Sequence, residues 1–487
     1  MLQLTIMKIF YGRFSIRSVI IQAINTLMGL ITVKYIFLIL TGYVLIELTL
    51  FYSMDVFKLK DVASSTNYKT IQLLTERFSY KNWLLGELGD YPFRDCTEKR
   101  CFLVKKDTFF QTPLEKSDAV LVHGQNLWVM KSRAAYKRPR DQVWIYFSME
   151  PQHLSFCSLH YRPEDLNDWF NITITFRSDS TIVTNYKPFY DWQSLPFNHE
   201  YMHHFLNRFK EKTLIPLSSS FSPQNMRLIL SRELQSKQTI DNPFIFWVVS
   251  HCDTPSKREE YVSEMLKHVD IDIYGKCGRN FPRKHHKPSE CVFFDGLEKN
   301  CAVFSKYKFY LAFENSLCEE YITEKYWKLY YARNIFYFHI VPIVRGARVK
   351  QYKQHVDLSG SYINADSFRT SKDLVDYLIY LNRNQTAYEE YFKWKFDLVA
   401  QFSRLVVKFH LNSSSQISEN IFNRRKIQND KHVMCSLCSL LHNRTFLEQN
   451  SAKRWLFSEW FNPTKECWDK ESKNLIYYVA KIVGLCI

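Results

Sequence analysis

The 487-residue chain carries no internal repeat and no low-complexity segment, which removes repeat arrays and flexible spacer proteins from consideration. It also lacks C2H2 ligand spacing, a homeodomain-like helix and an aromatic RNA-binding signature, so nucleic acid is not an expected partner. The 65 Lys and Arg against 49 Asp and Glu, a formal charge of +16, therefore point to phosphates or a membrane surface. No acidic residue precedes the first apolar run, and no small-residue cleavage site follows it. What is present is a core-forming composition. Hydrophobic residues at 46% and aromatics at 16% exclude a disordered protein, and the length suffices for about three domains.

From Val19 to Tyr52 the chain is largely apolar, with Lys34 and Glu47 its only charges. A membrane-spanning helix needs about 20 mostly apolar residues, which 30–52 supply if those two side chains reach the interfaces. Lys8, Arg13 and Arg17 lie upstream, so the positive-inside rule keeps residues 1–29 cytoplasmic and sends the rest across. The expectation is a single-pass, type II signal-anchor, with a polar stem over 53–80. Glycosylation triplets at Asn171, Asn384, Asn412 and Asn443 all fall downstream, as an exported body requires. Twelve cysteines in an oxidising compartment would mostly pair. The Cys435-Ser-Leu-Cys438 pattern invites a zinc or thiol-redox reading, with Cys96, Cys101 and His442 as further ligands. Zinc wants a second ligand pair at matching spacing, and redox chemistry wants the motif at a helix start after a strand. Structural disulfides suit the pattern better.

Strands and helices alternate in two blocks. The first has strands at 118–123, 143–148 and 172–177. The second opens on the continuous apolar run 244–250, of the kind buried on both faces of a parallel sheet, with Asp253-Thr254-Pro255 expected to cap a helix over 257–268. Strands at 269–274, 309–313 and 341–344 and helices at 373–381 and 387–402 complete it. The fold class predicted is α/β, with two doubly wound Rossmann-like domains facing a cleft. The expected boundaries are 81–238 and 239–425, followed by a C-terminal segment over 426–487.

Residues 307–327, YKFYLAFENSLCEEYITEKYW, set a buried strand before a turn with Glu314 and Asn315 and then a helix with Thr323, Glu324 and Lys325. A strand's carboxyl end beside a helix N-terminus is suited to an anion, and a carboxylate next to a lysine suits a ligand offering sugar hydroxyls and phosphate. An ordinary turn with solvated charges is the plain alternative.

This segment resembles the signature of the α1,3-fucosyltransferases, Golgi enzymes that move fucose from GDP-fucose to a sugar hydroxyl. WIYFSMEPQH at 144–153, WFNITITFRSDS at 169–180, FWVVSHCDTPSKREEYV at 246–262, VDIDIYGKCG at 269–278 and NQTAYEEYFKW at 384–394 follow in the same order. The resemblance spans roughly residues 95–468. It implies a GT-B type arrangement with the donor on the second domain and the acceptor at the cleft, and inversion by direct displacement. Glu150 would be the base that takes the acceptor's proton. Arg258 and Lys325 would neutralise the departing diphosphate, Glu324 would hold the ribose, Asn315 and Tyr321 would line the GDP-fucose pocket, and Arg177 would shape the cleft or form a structural ion pair. Asp270-Ile-Asp272 has the form of a metal-binding DxD, yet it falls in an apolar strand. No obligatory metal or cofactor is expected, although manganese stimulation is compatible. Cys435 and Cys438 would bridge to Cys96 and Cys101, and Cys277 to Cys291 or Cys301.

Three departures accompany the resemblance. Pro151 follows Glu150 where serine is common, Phe176 replaces a tyrosine, and Lys328 to Ile340 is several residues longer than the corresponding link. That insertion keeps open a catalytically inactive, membrane-anchored sugar-binding homologue, and a protein O-fucosyltransferase is a further alternative. The acceptor, an outer or core GlcNAc of a glycoprotein or glycolipid, is not legible in the sequence.

Overall fold

The computed structural model describes residues 68–75, 88–105, 113–129, 136–151, 163–184, 186, 231, 234, 241, 243–287, 306–330, 339–356, 360–395, 433–450, 455–460 and 466–468. The expected membrane span, residues 201–230, Cys291, Cys301, Asn412 and residues 331–338 of the longer link 328–340 lie outside them. No helix among the described residues is long and apolar enough to cross a membrane. Residues Lys69–Ile487 form one compact unit.

Among the described residues, twelve strands make two six-stranded sheets, and every strand pairing within them is parallel. The first holds β1 (Lys69–Leu73), β2 (Cys101–Lys105), β3 (Ala119–His123), β4 (Val143–Ser148), β5 (Ile172–Thr175) and β6 (Ile182–Val183), in the order β2-β1-β3-β4-β5-β6. The second holds β7 (Ile245–Val248), β8 (Ile271–Tyr274), β9 (His286–Lys287), β10 (Phe309–Phe313), β11 (Val341–Arg345) and β12 (Ile363–Asn364), in the order β12-β11-β10-β7-β8-β9. The first is the flavodoxin-like order with an added edge strand. The second is the dinucleotide-binding order, whose strand sequence reverses between β7 and β10.

Parallel strands need apolar side chains on both faces, and AVLVH of β3 and FYLAF of β10 are buried at every position. Three clusters result. One packs Trp247, Val262, Leu374 and Leu378 beneath the helices of the second sheet. Another sets Tyr146, Trp169 and Phe170 against Phe457 on the first sheet. The third joins Ile145 and Phe147 of the first sheet to Tyr310, Tyr321 and Tyr326 of the second half, so the two sheets share one core.

The helices used below are α1 (Arg258–Met265), α2 (Glu324–Trp327), α3 (Val349–His355), α4 (Ser371–Arg383), α5 (Gln385–Glu389) and α6 (Val433–His442). Helix α4 starts with a reciprocal box in which Thr370 accepts from the Asp373 N–H and Asp373 accepts from the Thr370 N–H. The expected cap of α1 does not form. Its N-cap is Lys257, in the left-handed region at φ 49°, because the Thr254 hydroxyl contacts the Glu259 carboxylate at 3.2 Å instead of accepting from the helix. A strand also falls within the range 53–80 expected to be a polar stem: β1 pairs with both β2 and β3.

Disulfides join Cys96 to Cys435 and Cys101 to Cys438, closing separations of 339 and 337 residues. On α6 the two cysteines lie three residues apart on one buried face, which is why the CxxC spacing serves two bridges. Cys101, Cys438 and His442 cluster, but both sulfurs are consumed by their mutual bond, and His442 Nε2 meets the Arg100 carbonyl at 2.9 Å. The expected partners of Cys277 are corrected: it bonds to Cys252, only 25 residues away, where the loop after β7 meets the loop after β8. A fourth bridge, Cys318–Cys467, was not anticipated.

Candidate active site

Polar groups gather where the second sheet reverses, at the carboxyl ends of β7 and β10, the position at which open α/β sheets bind ligands. Glu314 and Asn315 follow β10 directly. The Glu314 side chain is fully buried and accepts from the Thr323 backbone N–H at 2.8 Å and the Thr323 hydroxyl at 2.7 Å. Thr323 is the N-cap of α2, so one carboxylate ties the end of β10 to the start of that helix. Gly346 permits this closure, because a Cβ there would sit 2.4 Å from the Glu314 Cγ.

Lys325 completes the knot. Its Nζ lies 3.0 Å from Glu314 Oε2, 3.1 Å from Glu324 Oε1 and 2.8 Å from Thr323 Oγ1, with the side chain one-fifth exposed. Burial works against the ammonium, but Glu314 and Glu324 outweigh it and hold Lys325 above its ordinary range. Burial raises the Glu314 carboxyl, which Lys325 and Thr323 partly draw back. For Glu324 burial acts upward too, yet Lys325 and Lys328 carry it below the usual carboxylate value. Lys328, buried against the Tyr310 ring, is pushed down to about 7 by desolvation.

Glu150 comes from the first sheet. It follows β4, where Ser148 Oγ donates to the Glu150 carbonyl at 3.0 Å and fixes the turn. The Tyr321 hydroxyl donates to Glu150 Oε2 at 2.7 Å from the second half of the unit. Tyr321 is fully buried and packs on Phe176, 5.2 Å between ring centres. The phenylalanine that departs from the family pattern thus acts as a packing surface for the tyrosine that reaches Glu150. Burial pushes the Glu150 carboxyl up, while Lys325, Tyr321 and Asn315 pull it back. Asn315 is itself buried, and its Oδ1 has no hydrogen-bond partner.

Arg258 departs from its expected geometry. Its Nη1 donates to the Phe313 carbonyl at 2.8 Å and its Nη2 to the His251 carbonyl at 2.7 Å, and the side chain is 4% exposed. It therefore bridges the carboxyl ends of β7 and β10 rather than reaching freely into the cleft. Each terminal nitrogen keeps a second N–H, and the guanidinium is near enough to act on Lys325 and His251. Arg177 takes the structural-ion-pair role. It meets Asp179 and Glu466, both at 2.6 Å, and lies over the Trp460 ring.

Glu466 belongs to a C-terminal strap. Its carbonyl accepts from the Glu319 N–H, Cys467 is bonded to Cys318, and the Trp468 N–H donates to the Leu317 carbonyl. On the same side, Ser178 donates to Glu320 through both its N–H and its hydroxyl at 2.6 Å. These links fasten the first sheet to the turn between Asn315 and Tyr321, and so fix Glu150 relative to Tyr321.

The remaining motif residues have ordinary roles. Asp270 pairs with Lys284, while Asp272 is buried and takes the Tyr307 hydroxyl and Lys287. Asn171 is buried, with its Oδ1 accepting from the Trp144 N–H. Asn384 caps α5 and donates to the Tyr380 hydroxyl, and Asn443 is exposed. Sequence reading had no site role for Glu314, Thr323 or Ser256, whose Oγ donates to the Glu314 carbonyl at 2.7 Å. The signal for Glu314 is a carboxylate directly after a wholly apolar strand, with a lysine at the second position of the next helix.

Two doubly wound halves with an acid from one meeting a lysine-carboxylate cluster from the other define a two-domain α/β protein with a cleft site at its switch point. The sequence matches glycosyltransferase family 10 (fucosyltransferase), C-terminal part, over residues 234–455, and the fucosyltransferase N-terminal part over 66–187. The chain belongs to that fucosyltransferase family. It is 41% identical over 156 residues to alpha-(1,3)-fucosyltransferase fut-1 of Caenorhabditis elegans, covering 32% of each chain. It is 31% identical over 288 residues to the 3-galactosyl-N-acetylglucosaminide 4-alpha-L-fucosyltransferase FUT3 of Pan troglodytes, covering 58% of this chain and 60% of the relative. With the glycoprotein 3-alpha-L-fucosyltransferase A of Drosophila melanogaster it shares 28% identity over 342 residues, 69% of this chain and 51% of the relative. The matched parts thus span between about a third and three fifths of these relatives' lengths.

Proposed function

We propose that the protein is an inverting transferase that moves L-fucose from GDP-β-L-fucose to the 3-hydroxyl of a GlcNAc residue on a glycoprotein or glycolipid. The observation that carries this reading is the contact between Glu150 and Tyr321, which sets a carboxylate with a raised pKa beside the lysine-carboxylate knot. A base must be ionised yet basic enough to take a hydroxyl proton, and partial burial supplies that compromise. Glu150 would take the acceptor's proton as its oxygen attacks C1 of fucose. The C1–oxygen bond to GDP breaks, with its electron pair leaving on the diphosphate. Lys325, fixed by two carboxylates, would meet the charge that develops there, with Arg258 adding field from behind. Asn315 and Tyr321 would border the sugar, and Glu324 the ribose hydroxyls. No step in this scheme asks for a metal.

The same reading implies a type II protein of the Golgi membrane with its body in the lumen, which the four disulfides among the described residues suit. Full-length protein incubated with GDP-fucose and either GlcNAc-terminated glycans or a folded protein acceptor distinguishes the alternatives. Fucose on the GlcNAc 3-hydroxyl is expected. Transfer to the polypeptide would favour a protein O-fucosyltransferase, and GDP binding with transfer to neither would identify an inactive sugar-binding homologue.

A further inference from the structure

Residues 276–287 read KCGRNFPRKHHK, five Lys and Arg and two His in twelve positions with no acid among them. They join β8 to β9 at the edge of the second sheet, where β9 is separated from β10 by β7 and β8. None of them enters the site described above. A run of one charge sign repels itself and tends to stay loose.

This run is fastened at several points. Cys277 is bonded to Cys252, and its N–H donates to the Val249 carbonyl at 3.1 Å. Phe281 packs edge-on against Trp247, 6.1 Å between ring centres. Gly278 lets the loop close on β9, since a Cβ there would lie 2.4 Å from the His286 ring. The buried His285 donates its N–H to the Pro282 carbonyl at 2.9 Å and accepts from the Ile273 N–H at 2.7 Å.

Two acids answer two of the cations. Lys284 meets Asp270 at 2.9 Å and Lys287 meets Asp272 at 3.3 Å. Lys276, Arg279 and Arg283 are exposed and have no ion-pair partner among the described residues. The backbone that carries them is already ordered, so an anionic chain meets them at little further entropic cost. Two of the three are arginines, whose forked donors bind an oxyanion through two hydrogen bonds at once. A fitting partner therefore bears several anionic groups in series. In the lumenal placement proposed above, sulfated sugar chains have that chemistry, whereas the anionic leaflet of the membrane faces the cytoplasm.

We propose that the loop 276–287 is a docking surface for a sulfated polysaccharide, with Lys276, Arg279 and Arg283 as its contacts. The choice of a sulfated chain rests on the lumenal reading; the surface itself does not depend on the transfer chemistry.

Calorimetric titration of the full chain with heparin over a range of salt concentrations tests it. Wild type is expected to bind. Lys276→Ser/Arg279→Ser/Arg283→Ser should bind about tenfold more weakly at about 0.15 M salt, and its slope of log affinity against log salt should be shallower by about 2. The same charge removed elsewhere, in Lys99→Ser/Lys350→Ser/Lys353→Ser, should leave affinity within about threefold of wild type. Arg279→Ser alone should flatten the slope by about 1, and supplies the test should the triple variant melt early. Equal weakening in the two triple variants would reduce the effect to net charge and overturn the proposal, as would absence of heparin binding by wild type. Tighter binding to phosphatidylserine vesicles than to heparin, lost in the loop variant, would make the surface a lipid contact and overturn the sulfated assignment. Fucose transfer by the loop variant should match wild type, and absence of transfer in both would count against the transferase reading while leaving the heparin result to stand.

Discussion

The hydroxyl of Tyr321 donates to Glu150 Oε2 at 2.7 Å across 171 residues of sequence, so the proposed base is held by a residue from the opposite sheet. Ionisation of Glu150 is therefore coupled to the packing of the two halves. Burial raises its pKa and the Tyr321 hydrogen bond lowers it. Transfer requires the ionised form and should fall as pH drops through that raised value, so the acid limb of kcat/KM is expected above the ordinary carboxylate range. Tyr321→Phe removes a donor that favours the charged form and should move this limb to higher pH. A pH-rate profile of wild type and variant checks both. A limb at the usual carboxylate value, unmoved by the substitution, would separate Glu150 from the rate.

Lys325 neutralises Glu314, whose side chain is fully buried. Lys325→Ala leaves that carboxylate without its cation. Breaking such a buried pair costs about 3–5 kcal/mol. The variant is expected to melt early and to lose GDP binding, whereas Lys325→Ala combined with Glu314→Gln should recover stability without recovering binding. Thermal melts and calorimetry in parallel separate the two effects. Full stability of the single variant would remove the knot as a structural feature.

The disulfides should rank by the loops they close. Cys318–Cys467 spans 149 residues and Cys252–Cys277 spans 25. On the chain-entropy account the longer bridge contributes about 1.6 kcal/mol more. Denaturant unfolding of the paired serine variants measures this. The Cys318→Ser/Cys467→Ser protein should also lose transfer more than GDP binding, because the strap fixes one sheet against the other while the donor residues sit within the second.

Gly346→Ala would place a methyl 2.4 Å from Glu314 Cγ and 3.1 Å from the Tyr321 carbonyl. The crowding should cost about 1–3 kcal/mol and displace Lys325 with Glu314. Melting temperature and GDP affinity should fall together. Substitution at Gly360, where no described atom lies within 4 Å of an added Cβ, should strain the backbone at its φ of 76° but leave GDP affinity alone.

Much of this fold is legible in the sequence because parallel strands are buried on both faces. VWIYFS, FYLAF and VPIV are continuous apolar runs, and all three are strands. The strand KTIQL is not, since Lys69, Thr70 and Gln72 interrupt it, and only pairing with β2 and β3 makes it one. Glu150, Asn315, Tyr321, Glu324 and Lys325 were named from motifs and come together around the switch point. The role of Glu314 was hidden because a carboxylate at a strand end reads as solvated until its burial is known. Arg258 is expected in the first turn of the helix after β7 and stands there, while its bonds to the Phe313 and His251 carbonyls are not legible, because backbone carbonyls leave no trace in a sequence. Cys318–Cys467 was missed because pairing across 149 residues depends on where the chain end returns.

The central claim is that Glu150 takes the acceptor's proton while the Lys325 cluster holds the donor. Fucose transfer from GDP-fucose to a GlcNAc-terminated glycan, with linkage analysis of the product, should be measured for wild type and Glu150→Gln alongside GDP affinity. Wild type should form the α1,3-linked product, and Glu150→Gln should be slower by about 10²–10⁴-fold with GDP affinity within about threefold of wild type. Glu150→Gln transferring at the wild-type rate would contradict the account.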